Sequence, residues 1–192
     1  GALQLPGAAD MRTPVAGKIK RGYIQSWNFT IERRLPGDLV TGIGYVGTKS
    51  SNLMGDIDIN SGQVIGAGND GRPYFARFGR NISTLLWDGN FGSDYHALQT
   101  QIRRKKGNLM VQGAYTWSKA MNQADDEGWA GVSWNWAPVF DRNRAPSGFD
   151  RTHVFQMGWV YDLPMGEGQK WATSGAAKHI LGGWSLSGVT SA

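Results

Sequence analysis

The side chains of this sequence that could do chemistry are few and far apart. Asp56-Ile57-Asp58-Ile59-Asn60-Ser61-Gly62 places oxygen ligands at alternate positions, as the opening of a calcium loop does. Such a loop turns on Gly at its sixth position and closes on a bidentate Glu at its twelfth, where Ser61 and Ala67 stand instead. A solvated loop is the expectation. Asp125-Asp126-Glu127 has no spaced partners and reads as an exposed loop tip. His96, His153 and His179 each stand alone, no Gly-x-Ser-x-Gly elbow is present, and Ser147-Gly148 lacks that context, so no nucleophile–base–acid triad has support. The absence of Cys removes disulfides, thiolate metal sites and Cys nucleophiles together. No enzyme, cofactor or metal centre is expected. His96 and His153 are expected at strand starts, as hydrogen-bonding groups of an aromatic girdle or a polar interior.

Binding is the chemistry that remains. Trp129, Trp134 and Trp136 crowd one polar connection, and exposed indoles are costly unless a sugar ring, a peptide or a neighbouring loop covers them. Ligand contact and self-packing both satisfy that need. Asp141, Arg142, Arg144, Asp150 and Arg151 pack opposite charges into a segment leading to a strand. They read as an ion-paired brace in preference to a substrate contact, because Arg and Asp facing an enclosed interior need partners. The formal net charge of +5 is carried by dispersed basic residues, with Arg103-Arg104-Lys105-Lys106 the one run, so nucleic-acid binding is not expected.

Strands are the elements that must position these groups. The 192 residues hold 28 Gly beside 9 Trp, 6 Tyr and 7 Phe, with 18% charged residues. That balance excludes coiled coils and disordered polyelectrolytes and favours β-structure. No stretch of about 18 apolar residues exists to form a transmembrane helix, but a membrane barrel needs only every second residue apolar.

Period-two alternation dominates. Across residues 25–33, Trp27, Phe29 and Ile31 share one face while Ser26, Asn28, Thr30 and Glu32 share the other. After the turn Pro36-Gly37-Asp38, Leu39, Thr41, Ile43 and Tyr45 alternate with Val40, Gly42, Gly44 and Val46. A second hairpin runs over residues 95–105, turns at Lys106-Gly107-Asn108, and returns with Leu109, Val111, Gly113, Tyr115 and Trp117 on its outer face. Raising residue numbers by 70 carries Gly37-Asp38-Leu39 onto Gly107-Asn108-Leu109, Arg33-Arg34 onto Arg103-Arg104, Tyr45 onto Tyr115 and Lys49 onto Lys119. The hairpin reads as a recurring unit, too diverged to be a true repeat. In a third pair, His153, Phe155, Met157, Trp159, Tyr161 and Leu163 form a stripe, Pro164-Met165-Gly166-Glu167-Gly168 turns it, and a sixth strand begins near Trp184.

Residues 49–94 and 119–151 are long, polar, Gly-rich connections, so short turns alternate strictly with long loops. Outer-membrane barrels have that asymmetry, with short periplasmic turns and longer extracellular loops. In that reading Trp27, Phe29, Ile31, Tyr115, Trp117, Phe155, Trp159, Tyr161 and Trp184 face the membrane, and Tyr45, Trp117 and Tyr161 suit its borders. A soluble sandwich, such as a secreted carbohydrate-binding module, also alternates. The abundance of Trp and the one-sided long loops lean toward the membrane.

At this point the sequence resembles the TonB-dependent outer-membrane receptors, most closely the subclass with an N-terminal carboxypeptidase-regulatory-like domain. The resemblance rests on Gly22-Tyr23-Ile24-Gln25-Ser26-Trp27-Asn28, Gly44-Tyr45-Val46-Gly47-Thr48-Lys49, Asp94-Tyr95-His96-Ala97-Leu98-Gln99 and Ala114-Tyr115-Thr116-Trp117-Ser118-Lys119. It continues through Phe149-Asp150-Arg151-Thr152-His153, Asp162-Leu163-Pro164-Met165-Gly166 and Leu181-Gly182-Gly183-Trp184-Ser185-Leu186-Ser187-Gly188. Each piece is weak alone, and seven in order are specific. The resemblance implies an all-β, antiparallel transmembrane barrel segment of about six strands in three hairpins, where a plugged barrel of this kind has about 22. Residues 1–192 would then be part of the C-terminal barrel domain of a larger receptor. It implies energy-coupled uptake of a small-molecule, glycan or peptide substrate, with the lipid bilayer as partner and the TonB complex engaged through regions outside this chain. A passive porin or adhesin barrel would differ in lacking the plug.

Overall fold

A computed structural model describes residues 11–125 and 131–192, so Trp129 lies outside the described residues. Its strands are β1 (Met11–Pro14), β2 (Tyr23–Leu35), β3 (Leu39–Asp58), β4 (Thr84–Lys106), β5 (Leu109–Asn122), β6 (Ala145–Pro146), β7 (His153–Asp162) and β8 (Ser185–Ser191). They form one sheet with the path β2-β3-β4-β5-β7-β8, and among the described residues no pairing joins β8 back to β2. β5 pairs antiparallel with β7 and β7 with β8, whereas β1 lies parallel along Thr84–Trp87 of β4 and β6 caps the end of β5. Two short helices, α1 (Phe75–Phe78) and α2 (Gly175–Leu181), interrupt the connections. Among the described residues no helix is long and apolar enough to cross a membrane, a criterion that does not bear on strands.

Turn chemistry sets the first hairpin. Gly37 and Asp38 both take positive φ, 82° and 60°, the backbone that matches the twist of two paired strands. From there the register fixes the faces. Tyr115 lies opposite Phe155, Trp117 opposite His153, Val111 opposite Trp159 and Leu109 opposite Tyr161, so these side chains share one face of the sheet. Gly188, opposite Trp159, leaves room for the indole, since a Cβ there would sit 2.8 Å from the ring.

Two expectations need correction. The loop expected over residues 49–94 is shorter, because β3 continues to Asp58 and β4 already begins at Thr84, leaving residues 59–83 as the connection. A bilayer needs only about 9–11 residues per strand, and beyond that length nothing demands alternating apolar side chains. At Gly89 a Cβ would lie 2.6 Å and 2.7 Å from the carbonyl oxygens of Lys20 and Asn52, so close backbone packing selects Gly and erases the pattern. The alternation of tight turns and long loops is also not strict, since residues 163–184 between β7 and β8 form an extended connection carrying α2. The six expected strands form the path of the sheet, and among the described residues the short β1 and β6 are added beside it. These two are too short to show a period.

The chain packs as two compact units. One comprises Gly1–Ser26, Thr48–Tyr95 and Ala120–Asp150, and carries the long connections. The other comprises Trp27–Gly47, His96–Lys119 and Arg151–Ala192, and carries the hairpin turns.

Candidate functional site

In the loop-bearing unit the aspartates and asparagine of the calcium-like segment work as hydrogen-bonding groups. Asp58 Oδ1 accepts from the backbone N–H of Asn60 at 2.9 Å and of Thr84 at 3.0 Å, tying the two ends of the connection together. The Asn60 Nδ2 amide donates to the carbonyls of Arg80 at 3.1 Å and Ile82 at 2.7 Å, and its Oδ1 accepts from the Tyr74 N–H at 2.9 Å. Arg80 donates through Nε to Thr84 Oγ1 at 2.6 Å and through Nη2 to the Ser83 carbonyl. Asn60 and Arg80 are both fully buried. Asp56, 1% exposed, is held in a fork by Arg12 of β1. Among the described residues no three His, Asp or Glu side chains converge as metal ligands do.

The tryptophan connection is organised by Asn143. Its amide donates to the Trp134 and Phe140 carbonyls, each at 2.8 Å, and its Oδ1 accepts from the Trp134 N–H at 2.9 Å. The Arg142 guanidinium lies 5.7 Å from the centre of the Trp134 ring, within cation–π range. Val64, Ile65, Trp134, Trp136, Val139 and Arg142 line a cleft of about 500 Å³. Two of the three tryptophans singled out by sequence thus share one cleft.

The charge run disperses. Arg144 pairs with Asp94 of β4 instead of a member of its own segment. Asp150 Oδ1 accepts from the Ala120 N–H at 2.7 Å, the carbonyl of Asp141 accepts from the Arg144 N–H at 3.1 Å, and Arg142 sits on Trp134. In the turn-bearing unit the carbonyl of Arg151 accepts from Ser118 Oγ at 2.8 Å. Asp125, noted only as a loop tip, accepts from Asn122 Nδ2 at 2.7 Å and from the Gly148 N–H at 3.0 Å. Those two hydrogen bonds, the Asn122 one foremost, hold its carboxyl below the usual aspartate range.

The turn-bearing unit repeats a polar pair on its aromatic face. Tyr45 Oη lies 2.6 Å from His96 Nδ1 and Tyr115 Oη 2.8 Å from His153 Nδ1, and in each pair the rings stack with centroids 6.1 Å apart. Residue spacing could not link these partners, for His96 follows Tyr45 by 51 residues and His153 follows Tyr115 by 38. The tyrosines repeat; the histidines come from whichever strand lies next. His96 is interior to β4, not at its start, because β4 begins at Thr84. Around the pairs, Trp27, Phe29, Ile31, Trp117 and Phe155 are exposed, as is Trp184, while Trp159 and Tyr161 are half-buried.

The opposite face of this unit is polar. Gln101 Nε2 donates to Glu32 Oε1 at 2.6 Å, and Gln101, Arg103, Gln112, Gln156 and Ser191 line a hollow of about 510 Å³. A Cβ on Gly42 would lie 2.9 Å from the Gln101 side chain, so a missing side chain makes room for a long one.

A sheet that leaves indoles and phenyl rings bare on one face and lines the other with amides inverts the order of a water-soluble domain. It is the wall of a transmembrane β-barrel, with lipid outside and water within. The sequence pattern of the outer membrane beta barrel domain matches residues 4–192, and the chain belongs to that family. Its place is the outer membrane. No curated protein and no solved structure matches it.

Proposed function

We propose that this barrel segment belongs to a TonB-dependent receptor of the subclass with an N-terminal carboxypeptidase-regulatory-like domain, and that the whole protein imports a substrate with energy from the TonB complex. The observation that supports this reading is the order of the seven motifs from Gly22 to Gly188 along successive hairpins. The amide-lined face would border the transport path. The cleft with Trp134, Trp136 and Arg142 would meet the substrate first, an indole platform suiting a sugar ring or a peptide side chain. The chain's role in this reading is transport, not catalysis.

Formaldehyde cross-linking in cells that express the full reading frame tests it. A cross-link to TonB, together with a plug-like domain encoded ahead of residue 1, is the expected result. With neither, the reading is overturned and a passive barrel takes its place.

A further inference from the structure

The largest concentration of charge is at the turns of the first two hairpins. Arg33 and Arg34 precede Leu35 at the end of β2, Arg103, Arg104, Lys105 and Lys106 end β4, and all six are exposed. The two turns meet, because Arg104 Nε donates to the Gly37 carbonyl at 3.0 Å. Three carboxylates lie nearby, Asp162 beside the second turn accepting from Ser185 Oγ at 2.6 Å. Glu32 is engaged by Gln101, and Asp38 occupies the turn itself. None of the six cations forms an ion pair among the described residues.

Strand alternation divides the six. Arg34, Arg103 and Lys105 line a hollow of about 380 Å³ on the polar face with Asp38, Val40 and Met110. Arg33, Arg104 and Lys106 therefore continue the opposite face, in line with exposed Ile31 and Ile102. Cations placed where an apolar stripe ends have stems that lie along hydrocarbon and heads that reach the headgroup layer. A guanidinium fork matches two oxygens of a phosphate.

We infer that Arg33, Arg104 and Lys106 form a binding surface for anionic phospholipids in the leaflet adjoining the hairpin turns. The charges select lipids with a net negative headgroup over zwitterionic ones and fix the depth of the turns against that leaflet. The surface requires the outer-membrane wall described above and is independent of any coupling to TonB.

Native mass spectrometry tests the inference on the full-length protein extracted from membranes and reconstituted in mixed phosphatidylglycerol and phosphatidylethanolamine vesicles. The wild type is expected to retain phosphatidylglycerol preferentially, and the triple variant R33Q/R104Q/K106Q to lose about tenfold or more of that preference. The variant R33K/R104K, which keeps charge, is expected to retain most of it. The polar-face variant R34Q/R103Q/K105Q is expected to match the wild type. No preference in the wild type, or a loss caused by the polar-face variant instead, would overturn the inference. Should the triple variant fail to fold, raising salt to about 1 M on the wild type replaces it, since screening then acts within about 3 Å and the preference must fall. A preference that survives such salt overturns the inference equally.

Discussion

The two compact units solve opposite problems. Of the buried polar side chains among the described residues, Ser50, Asp56, Asn60, Arg80, Thr84, Asp88, Asn122 and Ser147 belong to the loop-bearing unit, and Ser118 to the other. Buried hydrophobic side chains among the described residues are Phe91, Ala97 and Val132, too few for a conventional core. The loop-bearing unit is held by hydrogen bonds aimed at backbone carbonyls, as at Asn60. The turn-bearing unit offers its large apolar groups outward, Phe29 at 67% and Trp117 at 56% exposure. Burial in lipid gives that face its stabilisation, whereas the loops stabilise themselves. One chain thus carries two kinds of folding energy.

The sharpest way to break this comparison is to put a charge on each face of β2. Phe29→Arg should cost about 2–4 kcal/mol of stability if Phe29 lies at the bilayer midplane, as its position halfway along β2 places it. Asn28→Arg, one residue away on the polar face, should cost less than about 1 kcal/mol, because its guanidinium stays in water. Reversible denaturant unfolding of the full-length protein in lipid vesicles, followed by Trp fluorescence, separates them. Equal losses would mean that the two faces see the same solvent.

The complementary test removes the loop hub. Asn60→Ala leaves two carbonyls and the Tyr74 N–H without their partner, each loss worth about 1–3 kcal/mol where water cannot reach. Residues 59–83 should become rapidly exchanging and protease-sensitive, while the strands keep their resistance to heat in detergent. Simultaneous loss of both would show that the two units stand or fall together.

What was legible in the sequence follows the same division. Trp27, Phe29 and Ile31 alternate because lipid imposes a period of two, and that signal placed β2, β5 and β7 within a few residues of their ends. No such period reaches the loops. Asp56, Asp58 and Asn60 have the residue types and spacing of a cation loop, and only the backbone path shows that Asp56 holds Arg12, Asp58 ties the connection to Thr84 of β4, and Asn60 braces residues 59–83 from within. The Tyr–His pairs fall between these cases, for the tyrosines repeat at a fixed offset while their partners depend on strand order.

The smallest expected effect concerns Asp125, a loop carboxylate with no burial to strengthen it. Its pKa in the folded protein lies below the ordinary value of 3.8, chiefly through the Asn122 amide and then the Gly148 N–H. A depressed folded pKa means that the ionised form is favoured by folding, so the contribution is fully present above about pH 3.8 and is lost only as pH falls through the lower, folded value. The tie between Asn122 and Gly148 should therefore stay intact throughout neutral and mildly acidic conditions. Hydrogen exchange of the Gly148 amide, corrected for its intrinsic pH dependence, should show constant protection down to pH 3.8 and release below it. Asp125→Asn should abolish that acid transition and leave exchange in residues 59–83 unchanged. A release centred above pH 3.8 would mean that burial, and not these two hydrogen bonds, governs the carboxyl.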